Sequence, residues 1–367
     1  MTNQVFTVAL IPGDGIGVDV SEATMAVVEA ARQKIGGFEI RTETLLAGAG
    51  YFAEHGVDVA PGVEEAAGEA DAIFLGAIGL PAIRHEDGTE ISPHLRLRDR
   101  FQLYAGVRPI KAYPNITQRL ADPRAADIDM MIIRESTEGL FYSAAVHNRS
   151  IVIGDSEVRD TLRITRATTE KLHDFAFRLA AKRKARGGRG LVTCVDKANV
   201  FTSMAFFRKI FDERAAAFPD IEKRYNYVDA QALEFVRQPW NFDVLVMENI
   251  FGDILSDLAG GLVGGMGMAC SGEFGDEHAL FQPAHGSAPD IMGQDKANPL
   301  AAILSGALML DYLAERSGTR HAADAAQAID DAVAAGFAAN RLRPMEFGGD
   351  MGTAAVTNEV IAILQGN

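Results

Sequence analysis

Cysteine is almost missing from this chain of 367 residues, which has two, Cys194 and Cys270. Two cannot build a disulfide framework, and such sparing use suits a reducing compartment. Long apolar runs are missing too. None reaches bilayer-spanning length, so no membrane partner is expected. The opening residues MTNQVFTVAL lack a basic segment followed by a long apolar one. No secretory leader is read there, and the cytoplasm is the default compartment. Positive charge is scarce, with 35 Lys and Arg against 50 Asp and Glu and a net charge of −15. That balance argues against a nucleic-acid partner. An acidic chain that binds an acidic ligand must build a local basic pocket against its own field. Internal repeats and disordered linkers are also absent, so any two domains share the chain closely.

What is present is an ordinary globular composition, 48% hydrophobic and 23% charged, at a length that suggests about two domains. Apolar runs at 5–11, 38–45, 72–75, 129–133, 191–195 and 244–247 read as strands. Helical periodicity at 18–34, 165–186, 201–217, 299–312 and 322–339 alternates with them. This pattern predicts an α/β layer fold. PGDGIG at 12–17 is a tight turn and not the dinucleotide fingerprint. Residues 142–163 alternate around Gly154-Asp155 and read as a β-hairpin arm.

The stretch NFDVLVMENIFGDILSDLA, 241–259, organises the rest. After the strand, 249–252 reads as a turn and a helix follows. Asp253 and Asp257 then lie one helical turn apart on one face. Two carboxylates so placed suit a hard divalent cation such as Mg²⁺ or Mn²⁺, or else a helix-dipole contact and a solvated side chain. Arg96, Arg98, Arg100 and Arg108 cluster in 91–110, which is either an anion site or a salt-bridged helix face. Arg134 and Lys197 each stand at a strand's carboxyl end, where ligands of α/β sheets gather. Asp229 marks another element boundary, and 281–299 reads as a long loop rich in turn formers.

With these residues in view, the chain resembles the β-decarboxylating dehydrogenases: isopropylmalate, isocitrate, homoisocitrate, tartrate and D-malate dehydrogenases. The motifs are LIPGDGIG, LRLRDRFQLYAGVRP, VDKANV, YVDA, NIFGDILSDLA and HGSAPDI, in that order along nearly the whole chain. The resemblance implies a two-domain α/β fold of the isopropylmalate dehydrogenase type, with a central mixed sheet flanked by helices. It implies a discontinuous cofactor-binding large domain, 1–103 plus 264–367. The small domain, 104–263, carries the dimer interface and the arm 142–163. It further implies a homodimer in which each copy completes the other's active site.

Carried over residue by residue, the resemblance makes Arg98, Arg108 and Arg134 the clamp on the substrate carboxylates. Asp253 and Asp257 become metal ligands, with Asp229 supplied by the partner. Lys197, also from the partner, becomes the base. His285, Gly286, Ser287, Ala288, Asp290, Ile291 and Asn298 become the adenosine-binding residues. Asp290 stands where the family's NADP enzymes tend to carry lysine, so NAD is the expected cofactor alongside Mg²⁺ or Mn²⁺. Ser92 and His94 occupy the substrate-selecting segment and predict a polar or anionic side group on a (2R)-malate. One departure concerns the final proton. Where most of the family has a tyrosine, this chain has Phe141, with Tyr142 beside it. Tyr142, a water held by His94 or Lys197, or a reaction that stops at oxidation are the three options. The expected activity is NAD-dependent oxidation of a small anionic hydroxy acid, with decarboxylation. The alternatives are an oxidation-only dehydrogenase of the tartrate or D-malate type, or a non-catalytic regulatory homologue.

Overall fold

The computed structural model describes residues 4–116, 119–144 and 147–366. The first run holds β1 (Gln4–Gly13), α1 (Ile16–Ile35), β2 (Phe38–Thr44), α2 (Ala49–His55), α3 (Val63–Glu69), β3 (Ala72–Ala77) and α4 (Pro93–Arg100). The middle holds β4 (Ala105–Lys111), β5 (Asp129–Glu135), β6 (Ile151–Ile153), β7 (Glu157–Arg159), α5 (Arg166–Ala185), β8 (Leu191–Asp196), α6 (Thr202–Ala215), β9 (Glu222–Tyr227), α7 (Val228–Arg237), β10 (Val244–Met247) and α8 (Asn249–Leu262). The chain ends with β11 (Cys270–Phe274), β12 (Ala279–Pro283), α9 (Leu300–Ser317), α10 (Arg320–Ala338) and α11 (Thr353–Gln365).

Ten strands form one mixed sheet, in the order β2-β1-β3-β12-β11-β4-β5-β10-β8-β9. The outer strands are parallel, and β3, β8 and β10 are buried along their whole length. Helices cover both faces of such strands, so their sequences run apolar without alternation. The middle is antiparallel, where β11 pairs with both β12 and β4 and β4 pairs with β5. This seam separates two sets of cores. On the β1 side, one cluster includes Val20, Phe74, Phe281, Leu310 and Ile329, and another includes Ile11, Leu75, Leu97 and Leu280. On the β10 side, one includes Phe177, Phe211, Val192 and Val244, and another includes Met130, Phe235, Leu245 and Leu255.

Three local expectations change. Residues 249–252 are not a turn, because α8 begins at Asn249. The Glu248 carboxylate accepts the Ile250 and Phe251 N–H groups at 3.0 and 3.3 Å and so caps the helix. Gly252, which reads as a turn former, lies within that helix; a Cβ there would fall 2.6 Å from the Arg134 Cβ. The loop expected from 281 begins later, since 281–283 belong to β12. The arm expected over 142–163 forms a ladder only at 151–159; Leu140–Ser143 is a 3₁₀ turn, and 145–146 lie outside the described residues.

The PGDGIG turn is a junction. Gly15 has φ 55°, and a Cβ there would stand 2.0 Å from the Ser287 carbonyl oxygen, which accepts the Ile16 N–H at 2.7 Å. Asp14, buried beside it, accepts N–H groups of Ala49, Gly50 and Gly79, each at 2.8 Å. One carboxylate thus ties the β1 turn to α2 and to the loop after β3. Among the described residues no helix is long and apolar enough to cross a membrane.

His173 of α5 is fully buried against the rings of Phe207 and Phe211, with Nε2 3.2 Å from the Phe207 carbonyl oxygen and Nδ1 unpartnered. Burial holds its pKa down to about 3. A folded pKa below the unfolded value contributes stability above the unfolded pKa, about 6.5, that is lost as pH falls from there toward the folded pKa. Between pH 7 and pH 5 this group alone removes about 2 kcal/mol. The stability of His173→Leu should therefore fall about 2 kcal/mol less than that of the parent chain over that interval, read by urea denaturation. Equal losses would contradict the assignment.

Candidate active site

A cleft of about 310 Å³ opens where α4, β4, the end of β5, α8 and the segment after β12 converge. Its lining includes Ser92, His94, Arg98, Arg108, Arg134, Phe141, Asp253, Asp257 and His285. Sequence positions from 92 to 285 thus meet at one place. Arg98, Arg108 and Arg134 are 6, 5 and 4% exposed, so none can rely on water to balance its charge.

The balance comes from a residue that the sequence reading missed. Glu273 on β11 is fully buried, and its Oε1 accepts the Arg98 Nη2 at 3.0 Å and the Arg108 Nη2 at 2.6 Å. Its Oε2 accepts the Ser136 hydroxyl at 2.6 Å. Burial works to raise the Glu273 pKa, but the charges of Arg98, Arg108 and Arg134 outweigh it and hold the carboxyl at about 2. The one available signal was a lone charge inside the apolar strand CSGEF. Buried carboxylates are paired, and the arginine cluster was the available partner.

Arg134 is held differently. Its Nε donates to Asn249 Oδ1 at 2.9 Å, its Nη1 to Asp253, and its guanidinium lies 4.8 Å from the centre of the Phe141 ring. Burial, then the charge of Arg98, lowers its pKa to about 10, which leaves it charged at neutral pH. Asp257 has its carboxyl raised by burial and then by the charge of Asp253. Asp253 and Asp257 therefore feel each other, as their spacing predicts.

Arg96 and Arg100 belong to another surface. Arg96 pairs with Asp58 at 2.8 Å and with Glu64, and Arg100 with Glu64 and Glu65 at 2.5 and 3.0 Å. The salt-bridged face and the anion site are thus both present on α4, divided by helical position. Lys197 and Asp229 do not line the cleft of their own chain; they pair with each other at 2.5 Å. That bond from Lys197 is the largest cause lowering the Asp229 carboxyl. Among the described residues, no group of three or more His, Cys, Asp or Glu side chains within one chain is placed to hold a metal ion. Tyr142 also stays out of the cleft. Its ring lies 4.3 Å from the Arg149 guanidinium and 4.0 Å from that of Arg163.

Ser92 and His94 line the same cleft. His94 is held neutral, with burial and then the Arg98 charge lowering its pKa to about 3. The expected adenosine-binding residues follow β12. The His285 Nδ1 lies 2.9 Å from the Gly286 carbonyl oxygen, while its buried Nε2 has no partner. The Ser287 hydroxyl donates to the Gly79 carbonyl. Ala288 sits at φ 34°, and the 3₁₀ turn Pro289–Ile291 leaves Asp290 exposed. Asn298 donates to Glu346 at 2.9 Å and accepts the Leu300 N–H at 3.2 Å.

A sequence model described as isocitrate/isopropylmalate dehydrogenase matches residues 7–363. The chain is 38% identical over 355 residues to the 3-isopropylmalate/3-methylmalate dehydrogenase of Methanocaldococcus jannaschii, covering 96% of this chain and 97% of that one. Among solved structures, isocitrate dehydrogenase from Methylococcus capsulatus has a TM-score of 0.83 at 32% identity, covering 98% of this chain and 99% of the other. The β-decarboxylating dehydrogenase of Thermococcus kodakarensis has a TM-score of 0.76 at 35% identity, covering 98% and 96%. With the motifs, the mixed ten-stranded sheet and the match over nearly its full length, this chain belongs to the isocitrate/isopropylmalate dehydrogenase family.

Proposed function

We propose that the protein oxidises a (2R)-malate with a polar side group, using NAD and Mg²⁺ or Mn²⁺, and decarboxylates the product. The observation that carries this reading is the convergence of three buried arginines and the pair Asp253 and Asp257 on one cleft. Arginine forks match carboxylates, and a malate brings two of them. The donor set suits a hard divalent ion, because the two carboxylates repel and offer only oxygen. The His285 Nε2, sealed from water without a partner, supports a bound cofactor at that loop. When bound, the metal ion lowers the pKa of the substrate hydroxyl and NAD accepts the hydride.

The chain's own residues do the rest. Arg98, Arg108 and Arg134 fix the carboxylates and so aim the carbinol carbon. Asp253 and Asp257 set the metal's place. Lys197 of the partner subunit takes the hydroxyl proton, and Asp229 of the partner subunit completes the metal ligands. Lys197 and Asp229 pair with each other at 2.5 Å, which keeps the two proposed roles side by side. Exposed apolar residues support a homodimer: Ile151 at 54%, Val152 at 66% and Val158 at 63% on the hairpin, with Leu233, Val236 and Ile254 on α7 and α8. The division of the cores at the β11–β4 seam supports two domains, 1–103 plus 264–367 and 104–263. For the final proton, Phe141 has none to give, and Tyr142 is held under two arginines. A water is the proposed donor.

Three measurements test this reading. Asp253→Asn should raise the Mn²⁺ concentration needed for turnover or abolish turnover; full activity in excess chelator would reject the metal assignment. The carboxylate of Asp290 should favour NAD, because it repels a 2′-phosphate. A higher kcat/KM with NADP would overturn that. Phe141→Tyr should speed CO₂ release relative to NADH formation, since a positioned general acid contributes about 10²–10⁴-fold, while Tyr142→Phe should change it little. Loss of CO₂ release in Tyr142→Phe with NADH formation intact would make Tyr142 the acid.

A further inference from the structure

Asn249 is the first residue of α8 and is fully buried. The parallel register pairs Met247 of β10 with Arg134 of β5, so Asn249, two residues on, stands beside the Arg134 side chain. Its Oδ1 accepts the Arg134 Nε at 2.9 Å. Its Nδ2 donates to the Glu138 carbonyl oxygen at 3.1 Å and to Glu135 Oε2 at 3.4 Å. The Arg134 side chain can only donate and the Glu138 carbonyl can only accept, so one orientation of the amide satisfies them all.

The Glu138 carbonyl belongs to the root of the hairpin arm. Gly139 and Arg163 close that root with two backbone hydrogen bonds, at 2.9 and 3.0 Å. The Glu138 carboxylate takes the Thr165 N–H at 2.8 Å and the Thr165 hydroxyl at 2.7 Å. Gly139, at φ 66°, passes so near α8 that a Cβ there would stand 2.8 Å from the Asn249 Cβ. The root is thus tied to itself and pressed on the start of the helix, which gives Asn249 a rigid anchor. Phe141, from the same segment, covers the guanidinium with its ring centre 4.8 Å away.

Among the described residues, the Arg134 side chain has two hydrogen-bonded partners, Asn249 and Asp253. Asp253 is the proposed metal ligand, so its hold on Arg134 ends when the ion binds. Asn249 does not line the cleft and keeps its bond. We propose that Asn249 is a positioning residue: it locks the Arg134 guanidinium to the root of the arm, so that Arg134 keeps its place on the substrate carboxylate once Asp253 has turned to the metal ion. Without it, Arg134 would follow Asp253 and compete with the ion. The inference rests on the clamp and metal assignments above and adds a residue that touches neither substrate nor metal.

The test is a cycle of Asn249→Ala, Arg134→Gln and the double variant, with (2R)-malate, NAD and Mn²⁺. Asn249→Ala should raise the KM for malate roughly 10-fold or more, the usual cost of a lost hydrogen bond to a charged group, and leave the KM for NAD in place. In the Arg134→Gln background the same change should add little. A second readout needs no turnover. Calorimetric titration with Mn²⁺ alone should show an affinity about 5-fold weaker in Asn249→Ala and recovered in the double variant, where Arg134 no longer holds Asp253. Asn249→Ser, tolerated at a helix start and one bond too short to reach Arg134, should repeat both shifts if the alanine variant fails to fold. An unchanged malate KM, an equal rise for malate and NAD, or additive effects across the cycle overturn the proposal. If the parent chain does not oxidise malate, the substrate reading fails separately and the Mn²⁺ titration decides: equal affinities in parent and variant, or no binding by the parent, reject the positioning role.

Discussion

The Glu273 carboxylate is the constraint on which the cleft depends. It comes from β11 and binds Arg98 of α4, Arg108 of β4 and Ser136 just beyond β5. The β11–β4 pairing is the seam between the two sets of cores, so this one side chain joins them where they meet. Two guanidinium groups this deeply buried repel each other and are costly to desolvate. Removing one partner from such a network typically costs about 3–5 kcal/mol. The antiparallel register facing Gly272 to Val107 and Glu273 to Gly106 is what brings the carboxylate within reach. Gly106 serves the same end, since a Cβ there would lie 2.7 Å from the Glu273 Oε2.

A chain with a net charge of −15 still presents an arginine-lined cleft because α4, β4 and the end of β5 each turn one arginine into it. The compensation is local and unequal. Glu273 serves two arginines from behind, while Arg134 is matched by Asp253 in the cleft itself. The proposed clamp and the proposed metal ligand thus satisfy each other within one chain. A carboxylate arriving at Arg134 and a cation arriving at Asp253 would each take over half of that contact. Binding of the two would then be linked, since each releases the partner that the other needs.

The sequence by itself determined the elements whose signals are local. The run VLVM reads as a buried strand and is one, because apolar β-branched residues between polar neighbours have no other low-energy place in an α/β layer. The spacing of Asp253 and Asp257 put both on one helix face, and Arg134 fell at the carboxyl end of its strand. The ordered motifs then gave the family, because they span nearly the whole chain.

Tertiary structure decided what depends on residues far apart. Asn249 and Gly252 carry turn signals, but Glu248 caps α8 and the close passage of Arg134 leaves room only for glycine, so the helix begins earlier than local propensity suggests. Of the four arginines between 96 and 108, the fold sends Arg96 and Arg100 to the acidic residues of 58–65 and turns Arg98 and Arg108 inward. The sequence offers Glu273 as a charge in need of a buried cation, but which arginines it binds is not local, because the pairing spans 175 and 165 residues and exists only through a strand register. Phe141 and Tyr142 are adjacent in sequence, yet the 3₁₀ turn places one ring in the cleft and the other under Arg149 and Arg163. Local propensity records what a residue prefers; which side chains share a buried charge is fixed only when the sheet has closed.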